Sequence, residues 1–505
     1  MDATHRGVSC GNAAPAKQES LVLPAILLLG LFVRLIGLGT HSYWFDEALE
    51  INRALTPLPD LLFLSEGPDP PLYRLILAVM LLFSRNEVVT RLPSVMFSVF
   101  TVSLTYHWLK LAKHRRLGYV AAFLLAIAPV SIYYAQEVSQ YSLALCLTGL
   151  LLVAFERIRS GDRLSDWLLL WLWTVLALYT YYGLAWLLPV LVLDLGLCLW
   201  RARRYTGLSA LGAYLLACAA GIIPLYSFYI RPQYIWMSRV SLNPYFSGLN
   251  LGQIVKGFAD RLYSDVVRFQ LLTFSSGTTD WIAITLGIWM IVGCGLIWKC
   301  LPSLRRLVIL APLILVVFYI ASGLGYFHFG HRYALPVLPF LMLFLAVPLQ
   351  QLAEWHGRAS VLAGSILCLS SIAFWPQTHL ISNPLLALPR EELRPVTQFL
   401  EQKASPTDVV YVYYGANPAF RVYDPLPDHQ ILYGRWLRHL PSVDMGPAVL
   451  EAVGTPKRFW VVFSHIHEDE GDAITDGILD AEAGYQLGFS YAAQGAAAVQ
   501  FVRVP

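Results

Sequence analysis

Apolar residues in this chain fall into long runs instead of alternating. They cluster near 21–40, 92–109, 117–134, 141–156, 166–180, 183–199, 207–228, 281–298, 307–325, 334–352 and 359–375. A helix needs about 20 apolar residues to cross the hydrocarbon core of a bilayer. The pattern therefore predicts a polytopic α-helical membrane protein with about eleven transmembrane helices. The stretch Pro70–Phe83 is shorter, opens on Pro-Pro and contains Arg74. It reads as an interfacial or re-entrant helix in the first outer loop.

After Pro376 the pattern changes and charged residues return. Leu393–Lys403 has helical spacing, Asp408–Tyr414 and Arg458–Ser464 read as strands, and Gly484–Val504 reads as a terminal strand pair. The chain thus divides into a tail at 1–20, a membrane domain at 21–376 and a small α/β domain at 385–505. The loop at 41–91 carries the first candidate chemistry.

The loops between runs are not alike. Lys110–Arg116, Glu156–Arg163, Trp200–Tyr205, Lys299–Arg306 and Glu354–Arg358 are short and hold fourteen Lys and Arg. Basic short loops stay in the cytoplasm. The N-terminus is then cytoplasmic, and eleven spans leave the last domain outside, on the periplasmic face if the cell is bacterial. No small-residue cleavage site interrupts Leu21–Leu38, so this run reads as a retained helix.

Composition sharpens the picture. The 505 residues are 57% hydrophobic and 14% charged, against about 25% charged in soluble proteins. This excludes an ordinary cytosolic enzyme, a disordered chain and a nucleic-acid binder with a basic face. The net charge of +3 names no partner. The seven cysteines form no Cys-x-x-Cys pair, so neither a zinc ribbon nor a redox motif is present.

The chemistry-capable residues gather in the predicted outer loops. Asp46 and Glu47 follow the first run in WFDEALE, where a helix N-terminus and a catalytic base are equally good readings. Asp69 precedes Pro-Pro as a cap or part of a polar site, and Arg91 opens the second run as an anchor or a phosphate contact. Glu137 lies in YYAQEVSQY with Tyr141. Tyr179–Gly183 reads as an aromatic belt or a sugar-stacking surface. His328, His331, Arg332 and Tyr333 precede the tenth run, where His and Arg suit a phosphate. A divalent cation is the one cofactor these groups leave open, and no metal is assigned. Arg34, inside the first run, calls for an ion pair or a watery cavity.

Taken in order, Arg34, WFDEAL, PPLY at 70–73, RLPS at 91–94, AQEVSQYSL at 135–143 and HRYALPVLP at 331–339 resemble the C-superfamily of integral-membrane glycosyltransferases. The likeness is to the branch of dolichyl-phosphate-mannose protein mannosyltransferases and aminoarabinose transferases, and it runs through about residues 25–375. It implies a polyprenyl-phosphate sugar donor, a lipid, glycan or protein acceptor, and inverting transfer on the outer face. It assigns the catalytic base to Asp46, with Glu47 beside it. Glu47 and Glu137 would orient the acceptor or hold a cation. Family members often carry His or Lys where this chain has Asp69, and Arg where it has Ser139. The donor phosphate then falls to Arg91, Arg332 and the histidines. The rival readings are a polytopic lipid or glycan transporter or flippase, and a non-catalytic relative that binds a prenyl lipid.

Overall fold

The computed structural model describes residues 21–63, 69–161, 163–233, 248–272, 280–325, 330–355 and 391–504, with Phe246 and apart from breaks at 424, 438–439, 455, 468 and 482–483. Ten of the eleven predicted runs coincide with helices, and the eleventh, 359–375, lies outside the described residues. Among the described residues, seven helices are long and apolar enough to span a membrane, and a bent pair would make an eighth. The chain is an integral membrane protein.

The helices nearest the first outer loop are α1 (Val22–Leu35), α2 (Phe45–Ala54), α3 (Leu72–Leu81), α4 (Glu87–Leu111), α5 (Arg115–Ile127), α6 (Pro129–Ala135) and α7 (Tyr141–Ser160). Two expected spans are short. α1 has 14 helical residues and stops where Gly37 takes a positive φ; Leu164–Leu178 has 15. α3 has ten residues, too few to cross a bilayer, in line with its Pro-Pro start and Arg74.

The third predicted run is broken. α5 and α6 meet at an angle of 58°, because Pro129 has no N–H to continue the ladder. The break exposes the last carbonyls of α5, and Arg34 from α1 meets them. Its guanidinium donates to the carbonyls of Ala126 (2.7 Å), Leu125 (3.3 Å) and Gly30 (2.9 Å) and to the hydroxyls of Ser98 and Ser131 (both 2.8 Å). The buried charge expected to find an ion pair or a cavity is held instead by carbonyl dipoles at a helix C-terminus.

The C-terminal domain holds a five-stranded sheet in the order β2-β1-β3-β5-β4. The strands are β1 (Val409–Val412), β2 (Gln430–Tyr433), β3 (Arg458–Ser464), β4 (Tyr485–Ala493) and β5 (Ala496–Arg503). β1 runs parallel to both β2 and β3, while β3, β5 and β4 are antiparallel. Residues alternate between two cores. Val410, Val412, Trp460 and Val462 pack with helices Leu393–Lys403 and Asn417–Tyr423. Val409, Tyr411, Phe459 and Val461 pack with helices Ser442–Val453 and Glu470–Leu479.

Candidate active site

α2 lies just past the first membrane helix. Its buried face is Glu47, Ala48, Glu50, Ile51 and Ala54, the spacing of one helical stripe. Two of those five are carboxylates, and each meets arginine. Glu47 takes a two-pronged contact from Arg91 of α4, with Nε to Oε1 at 2.8 Å and Nη2 to Oε2 at 2.7 Å. It also accepts the Val138 N–H at 2.8 Å. The remaining donors of Arg91 go to the carbonyls of Leu38, His41 and Ser42. Glu47 is 0% and Arg91 1% exposed. Glu50 pairs with Arg74 of α3 at 2.9 Å and with Arg53 at 2.6 Å. Burial alone would raise its pKa, but the two guanidinium charges outweigh this and hold it below the usual carboxylate range.

Asp46 sits on the flank of the same helix and differs from both. Its Oδ2 accepts from Arg332 Nη1 at 2.6 Å, and the two side chains remain 36% and 31% exposed. The Arg332 guanidinium lies over the Tyr141 ring at 5.5 Å and the Tyr333 ring at 5.7 Å. Tyr181 stacks on Tyr333 at 6.3 Å and meets Tyr141 edge-on at 6.0 Å. Tyr181 is buried, so this ring of the expected aromatic belt faces inward.

The other predicted residues take varied places. Asp69 accepts from the side-chain amide of Gln140 at 2.8 Å. Burial, and then the charge of Glu50, push its pKa up to about 6. Glu137 is enclosed, 1% exposed. His331 faces Asp265 at 3.7 Å and the edge of Phe269. His328 lies outside the described residues. Among the described residues no three His, Cys, Asp or Glu side chains gather to hold a metal.

Two residues with expected substrate roles face each other in the interior. The sequence offers Arg91 to the donor phosphate, and Glu47 to the acceptor or a cation. They pair in the interior, where a buried ion pair must keep its partner. They tie α2 to α4.

Sequence reasoning missed the groups that complete the site from the far end of the chain. Trp44 offers no side-chain cap to α2. Glu391 supplies one, accepting the Phe45 N–H at 3.1 Å. Glu392 accepts from the Ser42 N–H (3.1 Å) and hydroxyl (2.7 Å) and faces His41 at 2.6 Å. The Glu391 contact satisfies an amide that a helix start leaves unpaired, and the Glu392 contacts hold the segment just before it. His465, after β3, faces Glu391 at 2.5 Å and stacks on Phe45 at 4.5 Å. Burial disfavours its charged form, but the hydrogen bond and charge of Glu391, with Asp46 nearby, prevail and raise its pKa. An acidic pair at a domain junction was the only signal available in the sequence.

A family model described as dolichyl-phosphate-mannose-protein mannosyltransferase matches residues 68–229. That stretch contains the PPLY, RLPS and AQEVSQYSL motifs. Among solved structures, the chain is similar to ArnT from Cupriavidus metallidurans bound to undecaprenyl phosphate, with a TM-score of 0.61, 14% identity, and coverage of 96% of this chain and 98% of that one. It is also similar to the oligosaccharyltransferase of Archaeoglobus fulgidus, with a TM-score of 0.50, 13% identity, and coverage of 95% and 72%. No curated protein matches in sequence. The fold is similar to those of these two solved structures, in line with the resemblance that the ordered motifs carry.

Proposed function

We propose that the protein is an integral-membrane glycosyltransferase that moves a sugar from a polyprenyl-phosphate donor to an acceptor hydroxyl. The half-exposed Asp46–Arg332 pair carries this reading. It is a base beside a cation, held at the membrane end of a fold whose solved relative contains undecaprenyl phosphate. The basic short loops favour placing this site on the extracytoplasmic face.

The prenyl chain lies among the helices, with its phosphate at the interface. The acceptor oxygen attacks the anomeric carbon opposite the phosphate, and the bond from that carbon to the phosphate oxygen breaks. The acceptor proton passes to Asp46, whose Oδ1 is the oxygen offered to it. The departing polyprenyl phosphate keeps the bonding electrons, and Arg332 meets its growing charge. His331 stands next to Arg332 and adds a second donor. Attack from the opposite side inverts the anomeric centre. Tyr141 and Tyr333 hold the guanidinium in place while Asp46 turns to the acceptor.

The sugar and the class of acceptor are not part of this assignment. The test uses membranes carrying the chain and a labelled polyprenyl-phosphate sugar. Label leaves the lipid in the native protein, and Asp46→Asn slows this by about 10²–10⁴-fold. Undiminished transfer by that variant would remove Asp46 from the role of base.

A further inference from the structure

A second cluster lies in the C-terminal domain, and the proposed transfer chemistry does not use it. β2 and β3 flank β1 on opposite sides, and all three run parallel. The crossover from β1 to β2 passes one face of the sheet, through Asn417–Tyr423. The crossover from β2 to β3 passes the other, through Ser442–Val453. The chain therefore changes direction at β1. In such sheets a crevice opens at the carboxyl ends of the strands on either side of that reversal.

Each of those strands delivers a ring to that edge. Tyr414 follows β1, Trp436 follows β2, and His465 and His467 follow β3. Tyr414 lies 4.8 Å from Trp436 and is stacked on His467 at 6.2 Å with 14° between the planes. Trp436 is 6.2 Å from His467, and His467 meets His465 edge-on at 4.9 Å. Trp436 remains 52% exposed in the midst of this cluster.

The backbone supports the arrangement. A Cβ on Gly415 would fall 2.6 Å from the carbonyl oxygens of Ser464 and His465, so only glycine lets the β1 and β3 turns press together. His465 has a φ of 52°, which costs a side chain of its kind energy and turns the backbone sharply at this edge. Its ring then stacks on Phe45, the residue before Asp46. An unbroken series of rings runs from Trp436 to the helix that bears the proposed base.

We infer that this strand edge holds a sugar ring of the acceptor, seated on Trp436, Tyr414 and His467 and directed toward Asp46. The inference rests on the transferase reading and names the acceptor as a glycan or glycolipid. A pyranose presents an apolar C–H face that packs on an aromatic ring, and hydroxyls around its rim. Trp and Tyr supply the face. The imidazoles beside them supply both a donor and an acceptor for hydroxyls.

Saturation-transfer NMR on the full chain in detergent tests this directly, with mannotriose, chitotriose and a serine-rich nonapeptide as probes. Ring protons of at least one trisaccharide receive saturation. Trp436→Ala weakens that binding by about tenfold, and Trp436→Tyr restores most of it. Thermal melting confirms that both variants fold. Saturation of neither trisaccharide, saturation equal in Trp436→Ala, or saturation of the peptide alone overturns the inference. The measurement uses no donor and no turnover. A protein that transfers no sugar can still pass it, and a silent crevice in an active transferase refutes the acceptor seat alone.

Discussion

Asp46 and Glu47 are adjacent on one helix, and each faces an arginine at about the same distance, 2.6 and 2.7 Å. Their surroundings separate them. Glu47 points into the bundle, where it accepts from Arg91 and the Val138 amide, and three backbone carbonyls take the other donors of Arg91. Asp46 points to the rim, where one oxygen holds Arg332 and water reaches both side chains. A charge pair with all its bonds made and no solvent is part of the framework. A pair joined by one hydrogen bond and partly open to solvent can exchange its partner for a substrate. A double-acidic motif need not be a double-acidic site, because a turn of about 100° per residue sends neighbours to different environments.

The contrast makes its largest prediction for the buried pair. Arg91→Met leaves Glu47 charged and alone in the interior, which costs about 3–5 kcal/mol. Folded yield and melting temperature fall sharply in detergent. If Arg91→Met melts like the native protein and loses only activity, the division between framework and rim is wrong. Arg332→Gln is the converse. Its melting temperature stays close to native, while transfer from the labelled donor slows by about 10²-fold, the usual effect of removing one preplaced donor. An unfolded Arg332→Gln would move that pair into the framework.

The smallest effect concerns the seam between α2 and the C-terminal domain. His465 has a raised pKa in the folded state. Its contact with Glu391 therefore stabilises fully below the unfolded value of about 6.5. That contribution is lost as pH climbs through the higher folded value. Native protein then loses stability on the alkaline side of the ordinary histidine range, by about 1 kcal/mol or less for a partly exposed pair. His465→Gln flattens the dependence, which melting curves at stepped pH will show. An unchanged profile would mean that the seam does not rely on the charged ring.

The membrane architecture is readable in the sequence because lipid imposes a length. Ten apolar runs are helices, and the basic short loops mark their ends. The breaks are harder to see. Pro129 splits the third run, and α1 ends early, where local turns override hydropathy. In the last domain, Arg458–Ser464 is legible from its β-branched and aromatic residues, whereas four-residue β2 is too short to stand out. At the site, Asp46 and Arg332 both stand out by their chemistry, yet nothing in their spacing says that they meet across 286 positions. That Arg91 and Glu47 pair with each other is not legible, since burial on all sides is a property of packing and not of a motif. Glu391 and His465 stay hidden because a cap lent by another domain leaves no mark near the helix that it caps.

That borrowed cap has a consequence for how the protein is made. The Phe45 amide and its acceptor Glu391 are 346 residues apart. A ribosome that has already delivered every described membrane helix to the bilayer has yet to release the groups that finish the first loop. The helix bearing Asp46 thus gains its final end only when the C-terminal domain folds against it. Nascent chains pass through synthesis with the loop unfinished, and an interrupted product would be inserted but incomplete. The start of the helix that bears Asp46 is then finished only once translation has passed Glu391.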